Sequence, residues 1–325
     1  MTIRISNGGL LSTFQDKGRF GYSNMGIPCG GAMDIESLYI ANALVSRPLT
    51  SPVLEMTGYG VSFEAGEDMV ISLTGARVQA YKNDLLIPSY ESIPLRQGDK
   101  VRIQAIEEGL RAYVGFSCPL KLDQAFDSQS TYKLSGFGGY KGRPLKAGDL
   151  ITSDPADLPA LYKYPTPKSG GPIRLILSYE HQDFDLGDFF ESTYRVSQDI
   201  SRMGMKLQGP PLQAQGGHGI ISSPVCQGTI QVPGSGQPII LLKDGQTTGG
   251  YKRLGCVIYE DLQRLGAYKP GDPIRFSPVT LSQAKALKLA YLERLASIKD
   301  SCVPIRAYEV KVADQAYYVS VEIKE

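Results

Sequence analysis

The sequence predicts an all-β protein with a few short helices, arranged as two tandem domains. Three observations carry this expectation. The chain is rich in turn formers and tyrosine, with 36 glycines, 21 prolines and 19 tyrosines. Short apolar runs recur between turn-forming clusters. A Pro/Gly-rich stretch divides a chain whose 325 residues are long enough for two ordinary domains.

The strand candidates, in order, are MVISLTGA (69–76), KVRIQAI (100–106), AYVGFS (112–117), IRLILS (173–178), IILL (239–242) and IRFSPV (274–279). Two segments carry helical spacing. In 35–45 (IESLYIANALV) apolar residues stand three and four apart behind Asp34 as N-cap, and 282–298 is rich in Ala, Leu, Lys and Glu behind Ser282. A pattern returns three times: PLRQGDKVRI (94–103), PLKAGDLITS (144–153) and YKPGDPIRFS (268–277). In each, Gly-Asp supplies the positive φ and the local side-chain bond of a tight turn before a strand. The stretch 154–172 holds five prolines and two glycines without periodicity. These signals divide the chain into a β domain at 1–155, a linker at 156–172 and a second β domain at 173–303. Residues 304–325 read as a hairpin turning at Ala313-Asp314-Gln315 and added to the second domain.

Composition excludes several classes. Apolar residues make up 42% of the chain, enough for packed cores, and 34 basic against 33 acidic side chains leave a formal net charge of +1. That balance gives no footprint for nucleic acid or an anionic membrane. Cys29, Cys118, Cys226, Cys256 and Cys302 form no Cys-x-x-Cys pair, so neither a zinc site nor a disulfide framework is expected, and reduced thiols fit a cytoplasmic protein. With only His181 and His218 available, neither a histidine metal site nor a Ser-His-Asp triad is expected. The first residues lack the apolar core of a signal peptide, and no stretch approaches the roughly 20 apolar residues of a membrane span.

Three segments could carry chemistry. In 13–34 (TFQDKGRFGYSNMGIPCGGAMD), five glycines free the backbone to face a ligand, while Asp16, Arg19 and Asp34 supply charge. The plainer alternative is a surface loop whose Asp34 caps the following helix. In 228–253 an apolar strand runs into Lys243-Asp244-Gly245-Gln246-Thr247-Thr248-Gly249-Gly250-Tyr251. There Asp244 could act as base or acceptor, Gln246, Thr247 and Thr248 as neutral donors, and the Gly249-Gly250 backbone as an anion cradle. A polar hairpin turn is the alternative, and the spacing is not that of a Walker phosphate loop. In 197–212, Arg202 beside Gly204 is a candidate carboxylate clamp, because guanidinium binds carboxylates through two parallel bonds. A reactive Asp244 would matter for turnover and little for stability.

At these segments the chain resembles the family that holds the C subunit of 5-oxoprolinase and the KipA regulator, related to the carboxyltransferase domain of urea carboxylase. The stretches that carry the resemblance are TFQDKGRFGY, GIPCGGAMD, NALV with PVLEMTGYG, ISLTGA, STYKLSGFGGYKGRPLKAGD, SRMGMKLQGPPL and GTIQVPGSGQPIILLKDGQTTGGY. The resemblance implies tandem cyclophilin-like β-barrels. It also implies, for partners, a KipI-like B subunit, joined in the oxoprolinase system by an A subunit. It implies hydrolysis of a small amide, 5-oxo-L-proline, to L-glutamate, with ATP used by the complex and not bound by this chain alone. By position it implies Asp244, Asp16 and Arg202 as catalytic, and Arg19, Asp34, Gln231, Gln246, Thr247, Thr248, Gly249, Gly250 and Tyr251 as substrate-binding, with no metal.

Two departures loosen the substrate assignment. VGFSCPLKL (114–122) stands where many relatives read Gly-Gly-Ile-Asp-Val-Pro, and Gln129 stands where they have Arg before Ser-Thr. The final strands resemble the opening of a biotin carrier domain, but an Ala-Met-Lys-Met loop is absent, so no biotin is expected on this chain. Besides the oxoprolinase role, the resemblance leaves two alternatives. One is a KipA-like regulator that binds and antagonises a KipI-type kinase inhibitor. The other is a biotin-dependent carboxyltransferase component acting on urea or a similar amide.

Overall fold

The structure, a computed structural model, describes residues 2–167, 170–313 and 315–323. The chain forms two compact units, one of residues 2–18, 30–167 and 295–323, the other of 19–29 and 170–294. Each unit is built on a curled, largely antiparallel sheet, as the sequence predicts.

Among the described residues of the first unit, nine strands form an antiparallel sheet centred on the longest of them, Lys100–Phe116. Its opening KVRI alternates in burial, sending Val101 and Ile103 into the core, and its end AYVGF is buried throughout. Along one edge it pairs first with Ser62–Ala65 and then with Val53–Thr57. Along the other it pairs with Met69–Lys82. Register shifts between Gly75 and Ala80 let the two long strands coil around each other. Gly75 is required there: its φ is +86°, and a Cβ would meet the Arg111 carbonyl oxygen at 2.8 Å. The concave face buries Ile3, Phe14, Phe63, Ile71, Val114 and Ile151 at 1% exposure or less. Each such side chain contributes roughly 1.5–3 kcal/mol.

Helix α1 (Ile35–Leu44) lies against this sheet, its buried residues including Leu38, Ile40 and Leu44. Asp34 caps it: Oδ1 accepts from the Glu36 and Ser37 amides at 3.0 and 3.2 Å, and Oδ2 from Ser37 Oγ at 2.5 Å.

In the second unit, eight strands run in the order Pro273–Ile274, Tyr194–Ile200, Gly204–Gln208, Ile239–Leu241, Thr229–Gln231, Arg253–Val257, Ile173–Leu177, Phe276–Pro278. The first and last of these are separated in sequence by Arg275 alone, so the sheet closes on itself into a barrel. Its filling includes Leu175, Val196, Leu207, Ile230 and Phe276, with Phe189 stacked on Phe276 at 5.2 Å between centroids. A two-stranded ribbon, Gly219–Pro224 with Thr248–Tyr251, stands off this sheet.

The three repeated Gly-Asp segments fold alike. Gly98, Gly148 and Gly271 have φ of +88°, +89° and +90°. In each turn the Asp amide donates to the carbonyl three residues earlier, at Arg96, Lys146 and Lys269. The Asp carboxylate in return accepts that residue's own amide at 2.8, 2.8 and 2.9 Å. This reciprocal closure is what the repeated spacing encodes.

Two expectations are corrected. The C-terminal ribbon, Val303–Val312 with Gln315–Glu322, belongs to the first unit and not to the second. It is held there by Tyr318 Oη donating to Ser92 O at 3.0 Å and by Lys82 Nζ on Glu309 at 2.7 Å. The expected linker is partly structured, because Leu161–Lys163 pairs with Val303–Ile305 of that ribbon. Asp314 in the expected turn, and Lys168 and Ser169 in the expected linker, lie outside the described residues.

Beyond α1 and α3 (Leu281–Ala296) there is a third helix, α2 (Tyr259–Leu265). It has seven residues and no side-chain cap, so its sequence carries no start signal. It is fixed instead by Asp261, fully buried, which accepts from Arg174 N, Nε and Nη2 at 2.7, 3.0 and 2.6 Å. Among the described residues no helix is long and apolar enough to cross a membrane.

Asp34 yields a testable pH dependence. Burial raises its pKa from 3.8 to about 6, against the lowering effect of the Ser37 bonds. The folded state therefore binds its proton more tightly than the unfolded chain, and this group's contribution to stability falls as pH rises from about 4 to about 6. Asp34→Asn, which keeps the cap acceptor, is expected to flatten that part of the curve of urea midpoint against pH. An unchanged slope would contradict the assignment.

Candidate functional site

The second unit collects the residues of 201–204 and 228–251. Strand Ile239–Leu241, within the barrel, runs directly into the polar loop 242–247, and Thr248–Tyr251 leaves it as one arm of the ribbon. The loop is seated on the turn 201–204: Leu242 N–H donates to Met203 O at 3.0 Å, and Asp244 N–H to Arg202 O at 2.9 Å. Gly245 permits this approach, since a Cβ there would lie 2.8 Å from the Met203 carbonyl oxygen.

Side chains reinforce the same junction. Arg202 Nε donates to Asp244 Oδ2 at 2.8 Å and Nη2 to Oδ1 at 3.0 Å, with the residues 9% and 6% exposed. The guanidinium makes the two parallel bonds foreseen for it, but its carboxylate partner is the chain's own Asp244. Both oxygens of Asp244 are thereby engaged.

Beside this pair, at the end of Thr229–Gln231, the Gln231 carboxamide is 2% exposed. Its Oε1 accepts from Gln246 Nε2 at 3.2 Å, whereas its Nε2 has no hydrogen-bond partner among the described residues. A Cβ on Gly249 would lie 2.2 Å from that nitrogen, so glycine at 249 is what lets the amide occupy its position. Buried polar atoms without partners are uncommon in proteins, and each calls for an explanation such as a catalytic role, a water or an ion. Ser223 Oγ, on the ribbon strand opposite Gly249, and Gln227 Nε2 are two more such atoms. Sequence reasoning passed over both, because a lone Ser or Gln carries no signal until the fold buries it without a partner.

Of the remaining loop residues, Gln246, Thr248 and Tyr251 are exposed, and Thr247 and Gly250 are half-buried. Gly249 and Gly250 stand in the ribbon, Gly249 paired with Ser223. The exposed and half-buried side chains of the loop are thus neutral donors, while its acidic group is paired and Lys243 is buried.

The segment 13–34 is divided between the units. In the first unit Asp16, 7% exposed, accepts from Gly18 N at 2.7 Å, Ser128 Oγ at 2.7 Å, Gln129 N at 2.6 Å and Ser130 Oγ at 2.5 Å. Its oxygens tie loop 13–18 to 128–130. Gln129, the departure noted in the sequence, contributes a backbone amide to this knot, which any residue but proline could supply. Asp34 is engaged as the cap of α1. Arg19 belongs to the second unit, 2% exposed, its amide donating to Cys29 O at 2.7 Å. Among the described residues no group of three or more His, Cys, Asp or Glu could hold a metal ion.

Residues 25–278 match the carboxyltransferase domain family, subdomain A and B. The chain belongs to this family. Within it, the chain is 32% identical to the 5-oxoprolinase C subunit of Escherichia coli (strain K12) over 302 residues, covering 90% of this chain and 97% of that protein. The Haemophilus influenzae counterpart is 32% identical, covering 89% and 96%. Kluyveromyces lactis urea carboxylase superposes on this carboxyltransferase-family chain with a TM-score of 0.84 at 25% identity, over 99% of this chain and 32% of its own length. The curled two-sheet architecture is therefore that of the family.

The buried ion pair reverses the sequence expectation that Asp244 bears little on stability. Removing one member of a buried pair leaves the other charge desolvated, so Asp244→Ala is expected to lower the unfolding free energy by about 3–5 kcal/mol. The double variant Arg202→Met/Asp244→Leu is expected to recover most of this loss. Urea denaturation of the single and double variants checks it. Equal losses in both would show that the loop is held by its backbone bonds alone.

Proposed function

We propose that this chain is the C subunit of an ATP-dependent 5-oxoprolinase, hydrolysing 5-oxo-L-proline to L-glutamate in a complex whose other members are an A subunit together with a KipI-like B subunit. The observation that carries the reading is the end-to-end match to the 5-oxoprolinase C subunits, 97% of the E. coli protein's length. The urea amidolyase of Lachancea kluyveri, by contrast, is matched over 18% of its length.

The site chemistry supports the same reading. A lactam carbonyl is resonance-stabilised and poorly electrophilic, and ATP-driven phosphorylation of its oxygen in the complex would supply a leaving group. What this chain adds is a set of neutral donors. The buried Gln231 Nε2, held against Gly249, would donate to the amide oxygen as charge develops on it. Gln246, Thr247, Thr248 and Tyr251 line the approach, and the Arg202–Asp244 pair acts as a positioning element that fixes the loop. Asp16 and Asp34 are positioning residues of the first unit in the same sense, and the role of Arg19 is substrate binding by resemblance alone. A second reading, carboxyl transfer to a small amide with biotin supplied in trans, is favoured by the family match across residues 25–278.

The experiment is glutamate release from 5-oxoproline by this chain mixed with its A and B partners, each omitted in turn. Turnover is expected to require all three components and ATP. Gln231→Met is expected to lower kcat/KM by about 10²-fold. It should leave the urea midpoint unchanged or higher, because a desolvated donor without a partner is lost. A large fall in stability with normal turnover would make Gln231 a structural residue. Absence of turnover in a stable complex, with transfer from carboxybiotin to urea, would establish the second reading.

A further inference from the structure

Cys226 and Cys256 are thirty positions apart and share no sequence motif, yet the fold brings their sulfurs to 4.0 Å. Cys256 lies in strand Arg253–Val257, directly opposite Thr229. Thr229 N–H donates to Cys226 O at 3.1 Å, a turn that returns Cys226 over the neighbouring strand. Cys226 is exposed and Cys256 is half-buried. A hydrogen bond from the Cys256 thiol favours the thiolate of Cys226 and pushes its pKa down to about 6, while that of Cys256 is raised. An exposed, thiolate-prone cysteine beside a second thiol is the arrangement of an attacking and a resolving pair.

We propose that Cys226 and Cys256 form a reversible disulfide under hydrogen peroxide, and that its closure displaces the ribbon carrying Gly249. The steps balance. The Cys226 thiolate attacks a peroxide oxygen; the S–O bond forms, the O–O bond breaks, and hydroxide leaves as water after taking a proton. Cys256 then gives up its proton and attacks the Cys226 sulfur; the S–S bond forms, the S–O bond breaks, and the hydroxyl takes that proton and leaves as a second water. Two thiols are oxidised for one peroxide reduced.

The link to the site is short. Val225, next to Cys226, donates its amide to Thr247 O at 3.0 Å, and Ser223 and Pro224 pair with Gly249 and Thr248. Bringing the sulfurs from 4.0 Å to a bonded separation of about 2 Å pulls 225–228 toward Arg253–Val257. Gln231, two residues beyond Thr229, stays in the barrel, so the contact of its side chain with Gly249 changes. This second part rests on the site reading above; formation of the disulfide does not.

The test treats the reduced chain with one equivalent of hydrogen peroxide, blocks remaining thiols with N-ethylmaleimide, and maps peptides by mass. The expected product is a chain lighter by two hydrogens with a Cys226–Cys256 cross-linked peptide, restored by dithiothreitol. Cys256→Ser is expected to stop at a dimedone-reactive Cys226. Prior oxidation at Cys29 or Cys302, or sulfenic acid persisting on Cys226 equally in the unsubstituted chain and in Cys256→Ser, would overturn the disulfide. In the reconstituted complex, peroxide is expected to lower turnover of the unsubstituted chain reversibly and to spare Cys226→Ser. A mapped disulfide with full turnover would overturn the coupling to the site. If the reduced complex has no turnover at all, it is the functional reading that fails, and the peptide map still decides the disulfide.

Discussion

Backbone pairing around bent strands is the constraint on which the structure depends. A sheet that curls must keep its amides and carbonyls bonded while its strands change direction. In the first unit Lys100–Phe116 meets this demand by exchanging one neighbour for another along the same edge, with Gly75 absorbing the bend opposite. In the second, the demand is met by closure, the two strands on either side of Arg275 joining the two ends of the sheet. The candidate site is a by-product of that closure. The loop that leaves the barrel at Leu242 must have its backbone satisfied, and the turn 201–204 does this first through main-chain bonds and then through Arg202 and Asp244.

The site combines one rigid and one yielding element. Gly245 is pressed against a carbonyl oxygen, which cannot move without disrupting the turn. Gly249 is pressed against the end of a glutamine side chain, which can move. A substitution at 245 therefore strikes the fold, whereas one at 249 strikes the Gln231 amide. Two glycines four residues apart, alike in the sequence, hold different physical obligations.

The all-β character, α1 with its Asp34 cap, and the three Gly-Asp turns were legible because each depends on residues within a few positions of one another. The turns needed only a glycine at positive φ and an aspartate able to close on an amide three residues back. What was not legible depends on partners far away in sequence. Helix α2 exists because Arg174 meets Asp261, and the ribbon sits on the first unit because Tyr318 and Glu309 find Ser92 and Lys82. Likewise Arg202 and Asp244 could each be named as a charged group with chemistry to offer, but not as each other's partner. Gln231 could be named only from resemblance, since nothing local distinguishes a glutamine whose amide is satisfied from one whose amide is not.

The arrangement of the units along the chain bears on how it is made. The strand Leu161–Lys163 waits for Val303–Ile305, and the intervening residues form the other unit. A chain leaving the ribosome at roughly 5–20 residues per second would leave one edge of that strand open for on the order of ten seconds. During that interval the second barrel has all of its own strands and can close. The first unit is thus begun first and completed last, and its unfinished edge is the segment that a chaperone or a neighbouring nascent chain would meet.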